Sequence, residues 1–404
     1  MITSTLVSEA FVPLEIPDFR LHHILFYDDK ATDLVDAIKK ALPEDLKGIE
    51  VNIKKLHEFP YKQYNSLGVV EYKLGNIDTT VDFKPLGVFK TSQAILQILY
   101  ELDNKRQDIL VDRLNLHPYA LTVASKIDNL SEILWTSDNL NKYKKSLGGW
   151  IEYYSGHWDD YSDDLYNERI ESNLSNRLSE LHFIRSNSAF IFMPRHDPRW
   201  PDWMQYMEEN FVDQVLHTKS IMFVFMMLNE ELDAASAKIQ QLGEEDIVEI
   251  DQEMQNIENL QMLIADITSE LQRERLMNRL HHSTKVIRRC FDVFSLDQAQ
   301  SIIDSKIDNL QELVKSKHAA AQNKLQSQQK RWILILNGLV GYQVAFSLLD
   351  SVKDVPLVKN NYNYFTGIIW ASMILLGIVS IVGLARYFLF RRKIKSNLSG
   401  KIIV

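Results

Sequence analysis

From Ser295 to Asp350 the chain holds no proline, and its first glycine there is Gly338. A stretch that long without a breaker predicts one continuous helix. Ser295 with Gln298 three positions on has the spacing of a capping box and marks its start. Apolar residues at Ile303, Ile307, Leu310, Val314, Ala321 and Leu325 alternate four and three apart, with Lys317 filling one slot. That seam faces a partner helix, as in a coiled coil. The character then changes: Trp332 to Leu349 is almost wholly apolar, carries no charge and is just long enough to cross a bilayer. A polar loop from Asp350 to Asn363, holding Pro356, leads to a second uncharged span, Tyr364 to Ala385, which ends on Arg386, Arg391, Arg392 and Lys393.

Charge sets the expected orientation. Lys324, Lys330 and Arg331 precede the first span and the arginine cluster follows the second, while the loop has Lys353 and Lys359 offset by Asp350 and Asp354. Basic flanks stay in the cytoplasm, so both ends are expected inside and the loop outside a cell (inner) membrane.

The chain has 404 residues, 45 basic and 54 acidic, for a formal charge of -9. Mean hydropathy is -0.19, so the two spans are a small part of a mostly water-soluble protein. The acidic balance argues against nucleic acid as a direct partner. Cys290 is the sole cysteine, which leaves no disulfide framework and no cysteine-based zinc site. Met1 to Arg20 lacks a basic stretch followed by an apolar core, so no signal peptide is expected.

Residues 1–156 read as a mixed α/β cytoplasmic domain. Its strand candidates are Leu21–Tyr27, Ile49–Leu56, Val69–Leu74, Thr79–Phe83 and Ile109–Val111, and Gly75 with Asn76 suggests a hairpin turn. Its helix candidates are Ala31–Ala41 and Thr91–Leu102. Trp150–Tyr154 reads as a further strand after a break at Gly148 and Gly149. Residues 157–202 read as a connecting segment, with a helix over Asp164–Arg185, a strand over Ala189–Met193 and a structured linker through Pro198, Trp200 and Pro201. Residues 203–294 read as a helical hairpin. Its first limb carries Ile221–Leu228, apolar all round and so buried, and ends at Gly243. Residues 295–331 form the stalk helix, 332–390 the two-span hairpin and 391–404 a basic cytoplasmic tail. The expected fold is an α+β domain, then a long helical hairpin and stalk helix, then two C-terminal transmembrane helices.

Several clusters bear on chemistry. The hairpin tip, with Glu244, Glu245, Asp246 and Glu249, could hold a divalent cation on carboxylate oxygens, though acidic residues also suit a solvated tip and a helix N-terminus. Asp159, Asp160, Asp163 and Asp164 divide between a metal cluster and helix capping, with capping favoured. His22 and His23 alternate on a strand and His281 and His282 on a helix, so neither pair converges on one ligand. Arg195, His196, Arg199, Trp200 and Trp203 could clamp a nucleotide, but a linker packed on its tryptophans is the plainer reading. No Walker loop, nucleophile elbow or dinucleotide fingerprint is present, so nothing points to an enzyme.

At about 100° per residue, Leu336, Val340, Gln343, Ser347, Asp350 and Asp354 share one side of the first span. Around an axis they would stack as an apolar constriction, a polar neck and an acidic mouth that draws cations in. Gln343 and Ser347 would otherwise serve as hydrogen-bonding contacts between helices.

The order of these parts resembles the CorA family of divalent-cation channels: mixed cytoplasmic domain, acidic helical hairpin, stalk helix continuous with the first of two spans, basic tail. The resemblance is architectural and covers most of the chain. It implies a homo-oligomer, usually a pentamer, with the first span lining the pore and Mg2+ or another divalent cation sensed by cytoplasmic carboxylates. The family's Gly-Met-Asn motif at the outer end of the first span is absent; Phe346, Ser347, Leu348, Leu349 and Asp350 stand there. Divergent CorA-like membrane effectors of type III CRISPR defence, acted on by a nucleotide messenger, are the other branch the resemblance implies. A non-conducting membrane-anchored scaffold is the third reading.

Overall fold

The structure, a computed structural model, describes residues 14–16, 18–61, 64–75, 84–111, 119–127, 133–152, 160–194, 203–243, 246–277, 281–353, 355, 361, 363–375, 377–378, 381–382 and 385. They form an α+β protein with an N-terminal sheet and long helices, divided into two compact units. One comprises Met1–Glu230 with Met262–Asp304, the other Glu231–Gln261 with Ser305–Val404.

The first unit is built on a sheet. Among the described residues its strands are β1 (Phe19–Tyr27), β2 (Glu50–Tyr61), β3 (Tyr64–Leu74), β4 (Ile109–Val111), β5 (Tyr119–Ala124), β6 (Leu181–Ile184) and β7 (Ser188–Phe192), in the order β2-β3-β1-β5-β7-β6 with β4 beside β1. Strand β1 pairs antiparallel with β3 along its whole length, while β5 meets it at Arg20 to His22 and β4 at Leu25 to Tyr27. β5 and β7 run parallel, which requires a long crossover. Helices α3 (Ser137–Ile151) and α4 (Asp163–Glu171) occupy that crossover.

Period-2 alternation gives the sheet two apolar faces. Phe19, Leu21, Leu25, Tyr72, Phe183, Phe190 and Phe192 enter one core with Leu34 and Ile38 of α1 (Leu34–Ala41), Ile95 and Leu99 of α2 (Lys84–Arg106), and Leu147 and Trp150 of α3. The opposite face carries His22, Tyr119 and His182. It meets α6 (Asp213–Gln241), α8 (His281–Phe294) and the π-helical turn Glu208–Val212 that joins α5 (Trp203–Met207) to α6. Helices therefore cover both faces. Met222, Met226 and Met227 in the apolar run of α6 are partly exposed, but Ile221, Phe223, Val224, Phe225 and Leu228 are buried as expected.

Three sequence expectations are corrected. The strand expected over Trp150–Tyr154 does not begin at Trp150: α3 runs through Gly148, Gly149 and Trp150 to Ile151, and Tyr153 and Tyr154 lie outside the described residues. The glycines do not break the helix because one of them lets another helix approach; a Cβ on Gly148 would fall 2.5 Å from Tyr166 Cε1 of α4. Asp164–Arg185 is not one helix: α4 ends at Glu171 and β6 follows. Asn173 draws the backbone out of the helix by accepting from Ser175 N (3.1 Å) and His182 N (2.8 Å), the competition typical of Asn and Ser. The segment 157–202 contributes β6 and β7 to the sheet, β7 lying where a strand over Ala189–Met193 was expected. Lastly, Ser295 has φ 52°, a left-handed conformation that closes α8, whereas a capping-box residue is extended. The strand expected at Thr79–Phe83, Asn76 of the proposed turn, and the linker through Pro198, Trp200 and Pro201 lie outside the described residues.

The second unit is helical. It takes the end of α6, the start of α7 (Ile247–Met277) and most of α9 (Leu296–Ser351). The predicted seam is buried at Ile307, Leu310, Val314 and Ala321, beside Ile239, Ile250 and Ile257; Ile303, just before the unit begins, is buried too. Lys317 fills its slot with a purpose: Nζ donates to the carbonyls of Leu242 (2.8 Å) and Gln240 (3.3 Å), the unpaired acceptors at the end of α6. A further helix, α10, covers Asn363–Leu375.

Candidate functional site: the apolar end of the long helix

Helix α9 has 56 residues and contains an 18-residue window of mean hydropathy 1.7, none of it buried. It is the one described helix long and apolar enough to cross a membrane. Leu334, Leu336, Val340, Val344 and Leu348 are each more than half exposed, and so are Tyr364, Trp370, Ile374 and Leu375 on α10. A contiguous exposed apolar surface of this kind marks an interaction or membrane site. The second expected span, Tyr364 to Ala385, is described as helix up to Leu375 and at residues 377–378, 381–382 and 385.

The two faces of the α9 window differ. Partial cover falls on Ile335, Gly338, Tyr342, Ala345, Phe346 and Leu349. That side meets α10, where Phe346 and Trp370 pack edge to face with centroids 5.6 Å apart. Leu336, Val340, Gln343, Ser347 and Asp350 lie on the uncovered side. Gln343 and Ser347 are exposed and lie away from the Phe346–Trp370 contact. Asp350 forms an exposed pair with Lys353 (3.6 Å). Asp354, Pro356 and the basic cluster at Arg386, Arg391, Arg392 and Lys393 lie outside the described residues.

At the hairpin tip Asp246 works as a cap. Its Oδ2 accepts from Gly243 N (2.9 Å), Gly243 O accepts from Asp246 N (3.2 Å), and Asp246 O accepts from Ile250 N (2.9 Å). Glu249 lies in the first turn of α7, where a negative charge faces the positive end of the helix. Glu244 and Glu245 lie outside the described residues. Among the described residues no group of three or more His, Cys, Asp or Glu is arranged to hold a metal. Asp163 and Asp164 begin α4 behind Ser162, whose hydroxyl accepts from Leu165 N (3.4 Å), and Asp163 pairs with Lys144 (3.2 Å). Asp159, Arg195, His196, Arg199 and Trp200 lie outside the described residues, and Trp203 opens α5.

The histidines have structural surroundings in the sheet unit. His22 donates Nε2–H toward Glu71 Oε2 (3.3 Å), and Arg20 bridges Glu71 (3.3 Å) and Glu208 (2.5 Å). Burial lowers His22 and keeps it neutral. Burial alone would raise the Glu71 carboxyl; the His22 bond and the Arg20 charge outweigh it and hold it at about 2. His23, fully enclosed against Tyr72, is pushed down to about 3 by burial. His182 Nδ1 meets His282 Nε2 at 2.9 Å beside Phe211, and burial with the neighbouring imidazole pushes His182 down to about 3.

Two features escaped the sequence. Lys219, in the middle of the apolar run of α6, donates to Ser186 O (2.7 Å) with its ammonium about equally near the rings of Phe294 (5.0 Å), Phe223 (5.1 Å) and Tyr119 (5.6 Å). Arg169, Arg185 and Arg289 gather from three separate elements. Neither leaves a local signal, because the partners are far apart in the chain.

No protein-family model matches the chain, and no curated protein matches it.

Proposed function

We propose that the chain is a CorA-like oligomeric membrane channel for divalent cations, gated by its cytoplasmic domain. The observation that carries this reading is α9: one unbroken helix leads from the buried seam at Ile307 to Ala321 into a bare apolar window. A rigid rod of that kind can carry a displacement of its soluble half to its apolar half. In the proposed homo-oligomer, Leu336 and Val340 make an inner constriction that closes by dewetting, Gln343 and Ser347 a polar neck, and Asp350 and Asp354 an acidic mouth that concentrates cations. The second span packs behind the first, as the Phe346–Trp370 contact begins to do. In this reading the protein lies in the inner membrane as a two-span protein with both termini in the cytoplasm, and Mg2+ or another divalent cation is what passes.

The test is cation flux through the purified chain in liposomes. The expected result is a divalent flux that falls several-fold in Asp350→Ala with Asp354→Ala. Absence of flux at every magnesium level would leave a non-conducting anchor. An unchanged conductance in the double variant would remove the acidic mouth.

One observation favours a second reading. With Phe346 to Asp350 where the family carries Gly-Met-Asn, the ring that meets hydrated magnesium is missing. A CorA-like membrane effector of type III CRISPR defence, opened by a nucleotide messenger, has no need of that selectivity. Non-selective flux seen only with such a nucleotide would favour it, and rescue of a magnesium-starved strain would favour the channel.

A further inference from the structure

In the sheet unit, Arg185 just after β6 lies within electrostatic reach of Arg169 of α4 on one side and of Arg289 of α8, the helix packed on β6, on the other. Two carboxylates stand near, buried Glu152 and exposed Glu168, and both are engaged by Arg169, at 2.9 and 3.6 Å. Among the described residues neither Arg185 nor Arg289 has a carboxylate within ion-pair distance. Among these five described groups, three guanidiniums stand against two carboxylates. An arginine does not escape by losing its proton under ordinary conditions.

Arg185 is 8% exposed. One edge of it serves the fold: Nη2 donates to Arg169 O (3.3 Å), at the end of α4, and to Ser172 Oγ (3.2 Å). The Nε–H on its other edge is idle. Arg185 Nε is buried without an acceptor, and so is Arg289 Nε on the facing helix. A buried unmet donor is costly, and more so on a charged group. Burial, with repulsion from Arg169 and Arg289, pulls the Arg185 guanidinium down to about 10. The group is thus desolvated, repelled and under-bonded together, a combination that a packed core relieves and a binding site retains.

We propose that Arg185 and Arg289 form a binding site for a small oxyanion of the phosphate type, free or carried on a soluble ester. A tetrahedral oxyanion offers acceptors in several directions, so one oxygen can take the Arg185 Nε–H and another the Arg289 Nε–H. Its charge offsets the excess of guanidinium over carboxylate among these groups. Arg169 is held by its carboxylates and acts as a positioning residue that anchors Arg185 through its carbonyl. The proposal is independent of the membrane reading, since it concerns the sheet unit alone.

The test is calorimetric titration and thermal unfolding of the full chain in neutral detergent at constant ionic strength. Inorganic phosphate, glycerol phosphate, acetate and chloride are compared. Saturable phosphate binding with a raised unfolding midpoint is expected, with acetate and chloride inert; tighter binding of glycerol phosphate would identify an ester as the natural source. Arg289→Gln, at a partly exposed position, should weaken phosphate by roughly tenfold or more, the worth of a lost charged hydrogen bond. Arg185→Lys keeps charge but loses the fork and should weaken it similarly; should that variant not fold, Arg289→Gln decides. No saturable phosphate binding by the wild-type chain, or equal affinity in Arg289→Gln, overturns the proposal.

Discussion

Acid should loosen the sheet unit well before its carboxylates titrate. His23 and His182 are both enclosed, and burial holds each at about 3 from an ordinary value of 6.5. The unfolded chain takes up a proton at each site as pH falls through 6.5, while the folded chain refuses it until about 3. Stability is therefore complete above 6.5 and is lost as pH falls through that window, by about 1.36 kcal/mol per pH unit per site. At pH 5 that is about 2 kcal/mol for each histidine and about 4 kcal/mol for the two. A typical domain has about 5–15 kcal/mol in total, so the loss is a large fraction. His22, also lowered by burial, adds in the same direction. Glu71, held at about 2, keeps its contribution throughout and gives it up only as pH falls below 4.5, outside the range. The assay is urea unfolding of the full chain in detergent at pH 7, 6 and 5. Emission would be followed from the sheet unit, whose Trp135 and Trp150 are buried, and amide exchange would be measured in peptides over β1 and β6. His23→Leu is the diagnostic variant. Neither ring nitrogen of His23 has a hydrogen-bond partner, so the change should be near neutral at pH 7. It should remove about 2 kcal/mol of the loss at pH 5. A stability that does not change between pH 7 and pH 5, or an unaltered slope in His23→Leu, would refute the reasoning.

Gly148→Ala places a methyl 2.5 Å from Tyr166 Cε1, and Tyr166 is fully buried and cannot swing away. The expected cost is about 1–3 kcal/mol in thermal unfolding, partly recovered when Tyr166→Leu is added. In the helical unit, Glu253 is buried while its partner Lys238 is half exposed. Lys238→Met leaves a buried carboxylate with the Asn256 amide (3.4 Å) and no cation and should cost about 2–3 kcal/mol, whereas Glu253→Gln leaves a cation in water and should cost under about 1 kcal/mol. Equal effects in denaturant midpoints would contradict that asymmetry. Lys317→Ala removes both donors to the final carbonyls of α6 and should speed amide exchange over residues 238–243, with a loss of about 1 kcal/mol.

Much of the architecture was legible because it is periodic. Strands β1, β3 and β4 lie within a few residues of where β-branched and aromatic runs predict them, and the helical limb ends at Gly243 as its cap suggests. The misreadings share a cause. Gly148 and Gly149 look like a break to any local rule, yet both lie within α3, and at Gly148 the missing side chain leaves the space Tyr166 fills. The run Asp164–Arg185 has helical composition, but Asn173 accepts from two backbone amides and turns it into the approach to β6. Ser295 has the right neighbours for a capping box and the wrong backbone angle, since closing α8 claims it first. Of the candidate site, the shared side of Leu336, Val340, Gln343, Ser347 and Asp350 was readable from helical spacing. That α10 packs on the other side was not, because spacing alone does not say which face a neighbour takes.

The sequence by itself determined the long unbroken helix, its buried seam and its bare apolar window, because each is a pattern written over neighbouring residues at the period of one element. Only the tertiary structure decided that β5 and β7 run side by side, that Lys219 lies among aromatic rings, and that Arg169, Arg185 and Arg289 share one charge-rich corner. Those partners are separated by tens of residues, and no local periodicity records a contact that exists only once the chain has closed on itself.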